Sequence, residues 1–180
     1  MKVRLSGIIP NSLVNGLGMR RVLFAQGCKH YCKGCFNPET WDFKGGEEKD
    51  CDEIINDIIN DPIIRGVTFS GGDPFYQADK FAYISKRVKT ERPKLNIWCY
   101  TGFTFEELLE KSKTDIDIYD LLYSIDVLVD GMFDETKKDE GLKFRGSSNQ
   151  RIINVSESLR RNEIIEILVW CRILKYHKHL

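Results

Sequence analysis

A chain of 180 residues is long enough for one domain with a substantial core and short for two. Its 27 Lys and Arg residues balance 27 Asp and Glu, so the formal net charge is zero, which speaks against bulk electrostatic capture by nucleic acid or an anionic membrane. Short basic pairs such as Lys137-Lys138 and Arg160-Arg161 read as solvated surface. The first ten residues lack an apolar core and a small-residue cleavage site, and no apolar run approaches spanning length. The expectation is a cytoplasmic protein without a membrane or nucleic-acid partner. In a compartment that keeps thiols reduced, the six cysteines read as metal ligands, reactive thiols or core residues rather than as a disulfide framework.

Along the chain, strand and helix signals alternate. Residues 21–26 read as a buried strand running straight into Gly27 and Cys28. Asp50 and Glu53 resemble a capping box ahead of Ile54, Ile55, Ile58 and Ile59, an apolar face at helical spacing that Pro62 should end. Val67, Thr68 and Phe69 form a short strand that leads into Ser70-Gly71-Gly72-Asp73-Pro74. Ala78, Phe81, Ala82, Ser85 and Val88 share one helical face, and residues 95–101 give the next strand. A second capping box, Thr104 with Glu107, opens another helix, and residues 125–129 give a further strand closed by Asp130-Gly131. The run 164–170 suits a buried strand or helix, and residues 175–180 read as a mobile basic end.

Such alternation implies right-handed βαβ units in an α/β fold. The chain is too short for a complete eight-fold barrel, so a partial (β/α) barrel with a mostly parallel curved sheet is expected. Ligands in these sheets sit beyond the carboxyl ends of the strands, and Cys28, residues 70–74, residues 100–102 and Asp130-Gly131 all follow strands. They should meet on one rim.

Cys28, Cys32 and Cys35 put three thiols within eight positions of one loop. Thiolates are soft ligands suited to iron–sulfur clusters or zinc. A cubane cluster normally takes four cysteines, one per iron, and only three are close here. Three protein ligands would leave one iron with an open position, which a chelating amine and carboxylate, such as those of S-adenosylmethionine, would fill. His30 offers a different completion, a structural Cys₃His zinc site in a binding module. Cys99 and Cys171, in apolar surroundings, read as small core residues.

The CxxxCxxC spacing of Cys28, Cys32 and Cys35 resembles the signature of the radical S-adenosylmethionine family. Residues 27–41 (GCKHYCKGCFNPETW), 68–74 (TFSGGDP), 98–102 (WCYTG), 127–131 (VLVDG) and 144–153 (FRGSSNQRII) narrow the likeness. Together they resemble the activating proteins of anaerobic (class III) ribonucleoside-triphosphate reductases over about 16–155. One departure is Leu17 in Asn15-Gly16-Leu17-Gly18, where that family carries proline; this loosens a turn and removes no ligand.

The resemblance implies a single domain, 1–180, with its core at 16–155 and an arm at 156–180 of no assigned role. It implies a [4Fe-4S] cluster on Cys28, Cys32 and Cys35, and S-adenosylmethionine contacted by Gly34, Cys35, Phe36 and Asn37 and by Ser70, Gly71, Gly72 and Asp73. No catalytic side chain beyond the ligands is expected. The implied reaction is reductive cleavage of the cofactor, then hydrogen abstraction from a glycine of the reductase large subunit, with flavodoxin or ferredoxin as electron donor. Asp130, Gly131, Arg145, Asn149 and Arg151 are candidates to face that partner. Activation of another glycyl-radical enzyme, of the pyruvate formate-lyase type, is the nearest alternative. A passive electron carrier would call for a fourth protein ligand.

Overall fold

The computed structural model describes residues 1–168. Trp170, Cys171 and the basic end at 175–180 lie outside the described residues. Seven strands build one sheet: β1 (Lys2–Ser12), β2 (Arg20–Ala25), β3 (Glu47–Asp50), β4 (Gly66–Gly71), β5 (Asn96–Tyr100), β6 (Val127–Asp130) and β7 (Arg151–Asn154). The helices described are α1 (Cys51–Asn60), α2 (Ala78–Glu91), α3 (Phe105–Ser112), α4 (Ile116–Leu122) and α5 (Val155–Arg161). None of them is long and apolar enough to cross a membrane.

The spatial order is β3-β1-β2-β4-β5-β6-β7. The parallel part of the expected sheet is its centre, where β2, β4, β5 and β6 run together. β1, β3 and β7 add antiparallel neighbours. Parallel pairing needs a long crossover, normally helical. α2 supplies one between β4 and β5, and α3 with α4 supplies the next. Residues 131–150 contain only a 3₁₀ turn, and the chain accordingly returns beside β6 in the antiparallel sense.

Period-two alternation sorts the central strands onto two faces. Leu23, Val67, Phe69, Ile97, Cys99 and Leu128 point into the large core beneath the helices, against Ile55, Ile58, Phe81, Ile84, Leu108 and Leu121. Trp98, Val127, Val129 and Ile152 form a smaller cluster with Tyr100 and Phe144. Of the two expected capping boxes, Thr104 and Glu107 complete a reciprocal one on α3, whereas at α1 only the N-cap half forms, Asp50 accepting from the N–H groups of Asp52 and Glu53.

Arg20 is fully buried at the start of β2. Its Nε donates to Thr68 Oγ1 at 2.6 Å, its Nη1 to the Leu17 carbonyl at 3.0 Å, and its Nη2 to the carbonyls of Val67 at 2.6 Å and Asn96 at 2.9 Å. The guanidinium carbon lies 5.3 Å from the Trp98 ring centroid. Burial pulls its pKa down to about 10, with weaker opposing support from Tyr100 and Asp126. Gly16, at φ +131°, has no room for a side chain, since a Cβ there would stand 2.8 Å from Arg20. The Leu17 turn thus works without proline because glycine at Gly16 and Gly18 supplies the positive φ values.

Arg20→Met leaves a buried hydroxyl and several carbonyls without donors. The expected cost is about 3 kcal/mol, read as a lowered midpoint in anaerobic urea unfolding. An unchanged midpoint would mean that this network adds nothing to stability.

Candidate functional site

The cysteine loop leaves β2 through Gly27, whose φ of +100° turns the chain over the sheet edge. The Gly27 N–H donates to the Thr40 carbonyl at 2.7 Å, and Cys35 N–H donates to the Cys32 carbonyl at 3.1 Å, which closes the loop on itself. Tyr31 and Gly34 take positive φ values inside it. Cys28 is buried, Cys32 and Cys35 are half-buried, and none is in a disulfide. All three line one cavity of about 550 Å³, together with Ser70, Gly71 and Gly72 at the end of β4, Tyr100, Thr101 and Gly102 at the end of β5, and Gly131 after β6. The strand ends do converge on one rim.

Burial and nearby backbone amides act on these sulfurs in opposite directions. Burial pushes the Cys28 thiol up to about 11, against the N–H of His30, which lowers it. Burial also raises Cys32, opposed by the N–H of Phe133. The Asn37 N–H donates to Cys35 Sγ at 3.4 Å. This donor set, three soft sulfur ligands on one loop, fits an iron–sulfur cluster anchored on three of its irons. A zinc ion would need its ligand atoms drawn to one centre. Among the described residues no three Cys, His, Asp or Glu side chains are so drawn. His30, the fourth ligand of a Cys₃His site, is instead engaged elsewhere, with Nε2 2.7 Å from Asp73 Oδ2.

Ser70, Gly71 and Gly72 form a shelf facing the cysteines. Gly72 N–H donates to the Ala25 carbonyl at 2.8 Å, and a Cβ on Gly72 would stand 2.6 Å from the Gly27 carbonyl oxygen. Only glycine lets the two loops approach this closely. Cys35, Phe36 and Asn37 also line the cavity. Two residues expected to touch a cofactor, Gly34 and Asp73, do not line this cavity. Gly34 sits on the exposed outer side against Glu135. Asp73 is fully buried beneath the shelf, where it accepts four hydrogen bonds.

The residues expected to face a partner also divide. Gly131 and Arg145 line the cavity. Asp130 does not face outward: it is buried, accepts from the Phe105 N–H at 2.8 Å and from Arg151 Nε at 3.0 Å, and so ties β6 to α3 and β7. Arg151 spans from Asp130 to Glu106, 2.7 Å from Nη2 to Oε2. Asn149 donates to the Met132 carbonyl at the rim. Sequence reasoning missed Val14, Asn15, Trp41, Phe133 and Gln150 as cavity residues. Gln150 accepts from the N–H groups of Gly146 and Ser147 and donates to the Gly131 carbonyl, folding the β6–β7 connection over the site. No periodic pattern announces such a contact.

A family model described as a 4Fe-4S single cluster domain matches residues 14–153. A Vibrio cholerae protein is 44% identical over 149 residues, 79% of this chain and 92% of its own length. One from Escherichia coli K12 is 40% identical over 147 residues, 78% of this chain and 92% of its own. One from Enterobacteria phage T4 is 32% identical over 160 residues, 87% and 97% respectively. All three are named anaerobic ribonucleoside-triphosphate reductase-activating protein.

Gly72→Ala forces a methyl group against a backbone carbonyl that has no room to yield. We expect a loss of about 1–3 kcal/mol in denaturant unfolding of the metal-free protein. Wild-type stability would show that the two loops are not in contact as described.

Proposed function

The chain belongs to the family of anaerobic ribonucleoside-triphosphate reductase-activating proteins, and from that membership we propose that it activates such a reductase with a [4Fe-4S] cluster and S-adenosylmethionine. Cys28, Cys32 and Cys35 hold the cluster, one iron each. When bound, the pair supplies one-electron cleavage of the cofactor's carbon–sulfur bond and a 5′-deoxyadenosyl radical that abstracts hydrogen from a glycine of the reductase large subunit.

The chain's own residues bind, orient and enclose. Gly71 and Gly72 present backbone at close range, where strand-end carbonyls can accept from the cofactor's ammonium. Phe36, Asn37, Tyr100 and Phe133 wall the cavity. Among the described residues, Arg145 is the one Lys, Arg, Asp or Glu side chain lining it. Its Nη1 is held by the Gln150 carbonyl at 2.5 Å. With Gly131, Asn149 and Arg151 it forms the side on which the partner's glycine would enter. The wider reading is of one domain with a partial-barrel fold in the cytoplasm, taking its electron from a flavodoxin or ferredoxin.

The observation that carries this proposal is that three free thiols stand across one cavity from a double-glycine shelf. The other described cysteines, Cys51 and Cys99, are buried in the core, which leaves no fourth thiol among the described residues. A passive carrier finds no fourth ligand there. The names of the relatives favour the reductase over a pyruvate formate-lyase type of partner.

Cys32→Ala, purified and reconstituted without oxygen, should lose the brown cluster and release no 5′-deoxyadenosine by chromatography. Wild type mixed with reductase large subunit should give a glycyl-radical EPR signal that pyruvate formate-lyase does not give. Cofactor cleavage by a Cys32→Ala protein with an intact cluster would end the ligand assignment.

A further inference from the structure

Asp73 follows the glycine shelf, yet its carboxylate turns away from the cavity and collects donors from three separate segments. Oδ1 accepts from the Phe75 N–H at 3.0 Å. Oδ2 accepts from Thr101 Oγ1 at 2.8 Å and the Gly102 N–H at 3.0 Å, both at the end of β5, and stands 2.7 Å from His30 Nε2. Thr101 Oγ1 itself accepts from the Phe103 N–H at 3.1 Å, so its proton points to Asp73. Backbone N–H groups only donate, which makes Asp73 the acceptor throughout and puts the imidazole proton on Nε2. The carboxylate is fully buried and the His30 side chain is 11% exposed.

His30 is the one residue of the cysteine loop that reaches this carboxylate. Its ring packs edge-on against Phe103, centroids 4.7 Å apart, and tilted against Tyr76 at 5.7 Å. A Cβ on Gly102 would stand 2.5 Å from the ring, so the β5 end is shaped to receive it. His30 follows Cys28 by two residues and precedes Cys32 by two. One residue therefore ties the cysteine loop, between its first two thiols, to the buried knot that joins the β4 and β5 ends.

We propose that His30 is a positioning residue: by donating Nε2–H to Asp73 it fixes the cysteine loop against the Gly71–Gly72 shelf and so sets how the cluster's open corner meets S-adenosylmethionine. This rests on the function proposed above. It gives Asp73 a role other than cofactor contact and His30 a role other than metal ligand. Partners that orient ligand-bearing groups act in this way in other metal sites, and losing one changes affinity or activity roughly 10–100-fold.

Two substitutions separate the hydrogen bond from the packing. His30→Phe keeps a ring for Phe103 and Tyr76 and removes the donor. Asp73 Oδ2 keeps Thr101 and Gly102, so no charge is orphaned. His30→Gln returns an N–H donor without the ring. Wild type and both variants are reconstituted anaerobically and compared in iron content, equilibrium affinity for S-adenosylmethionine, and the EPR spectrum of the reduced cluster with and without it. The expected result is equal iron in all three, affinity roughly tenfold or more weaker in His30→Phe with loss of the cofactor-induced spectral change, and near wild-type behaviour in His30→Gln. Wild-type affinity and spectra in His30→Phe overturn the proposal, as does a His30→Gln protein impaired as badly as His30→Phe. Loss of iron from His30→Phe overturns it too, by making His30 a support of the cluster rather than of its orientation. A wild-type protein that takes up no cluster sinks the underlying function and this inference with it.

Discussion

The central constraint is that four neighbouring strands run the same way. Because β2, β4, β5 and β6 are parallel, every segment leaving their carboxyl ends starts from one rim. Parallel pairing also demands crossovers, and the helices that supply them must bury their apolar stripes on the sheet. They cover one face, where Leu23, Phe69, Cys99 and Leu128 point. The opposite face carries fewer apolar contacts and holds Arg20 at its amino end and the cavity at its carboxyl end. Arg20 lets that face accommodate buried carbonyls and a hydroxyl without water, since a guanidinium has five donors in a rigid fork.

The cysteine loop must satisfy two opposed requirements. Enclosing the thiols excludes water, but enclosure also disfavours the thiolate form that binds metal, as the rise of Cys28 to about 11 expresses. The backbone amide of His30 works against that rise, and that of Phe133 against the smaller one at Cys32. Metal binding to such a site is coupled to proton release, because a ligand thiol must give up its proton. Burial, by raising Cys28 and Cys32, makes them poor free nucleophiles.

Much of this was legible in the sequence, and the parts that were not have physical reasons. The strands entering the site stand out because parallel strands buried on both faces read as continuous apolar runs. The Thr104–Glu107 box is a local signal and formed locally. β3, Glu-Glu-Lys-Asp, carries no apolar residue; it exists because β1 offers it an edge, and its charges suit an edge strand. Orientation was the harder matter. Gly71, Gly72 and Asp73 are consecutive, yet a φ of +93° at Gly71 followed by extended geometry at Asp73 sends the carboxylate under the shelf that the glycines form. Asp130 is likewise the last residue of a strand buried along its whole length, and its partner Arg151 lies on the neighbouring β7. Neither pairing leaves a periodic trace.

The wall opposite the cysteines has to hold its shape without a helix. The β6–β7 connection is held instead by aromatic contacts and by a strained backbone. Phe133 packs on Phe36 of the cysteine loop, centroids 4.9 Å apart, and a Cβ on Gly146 would stand 2.7 Å from Phe36. Phe144 adopts φ +60°, a conformation costing a non-glycine residue about 1–3 kcal/mol, and its ring lies edge-on to Trp98 at 5.4 Å. Tyr31, at φ +50° between Cys28 and Cys32, packs edge-on against Trp41 at 5.3 Å. Phe144 lines the cavity while Tyr31 stands outside it on the exposed side of the cysteine loop, and each packs on a tryptophan that does not share its strain. Such strain persists only where surrounding contacts over-determine it. The β6–β7 wall is thus shaped by contacts the chain makes with itself, Phe133 against Phe36 and Phe144 against Trp98.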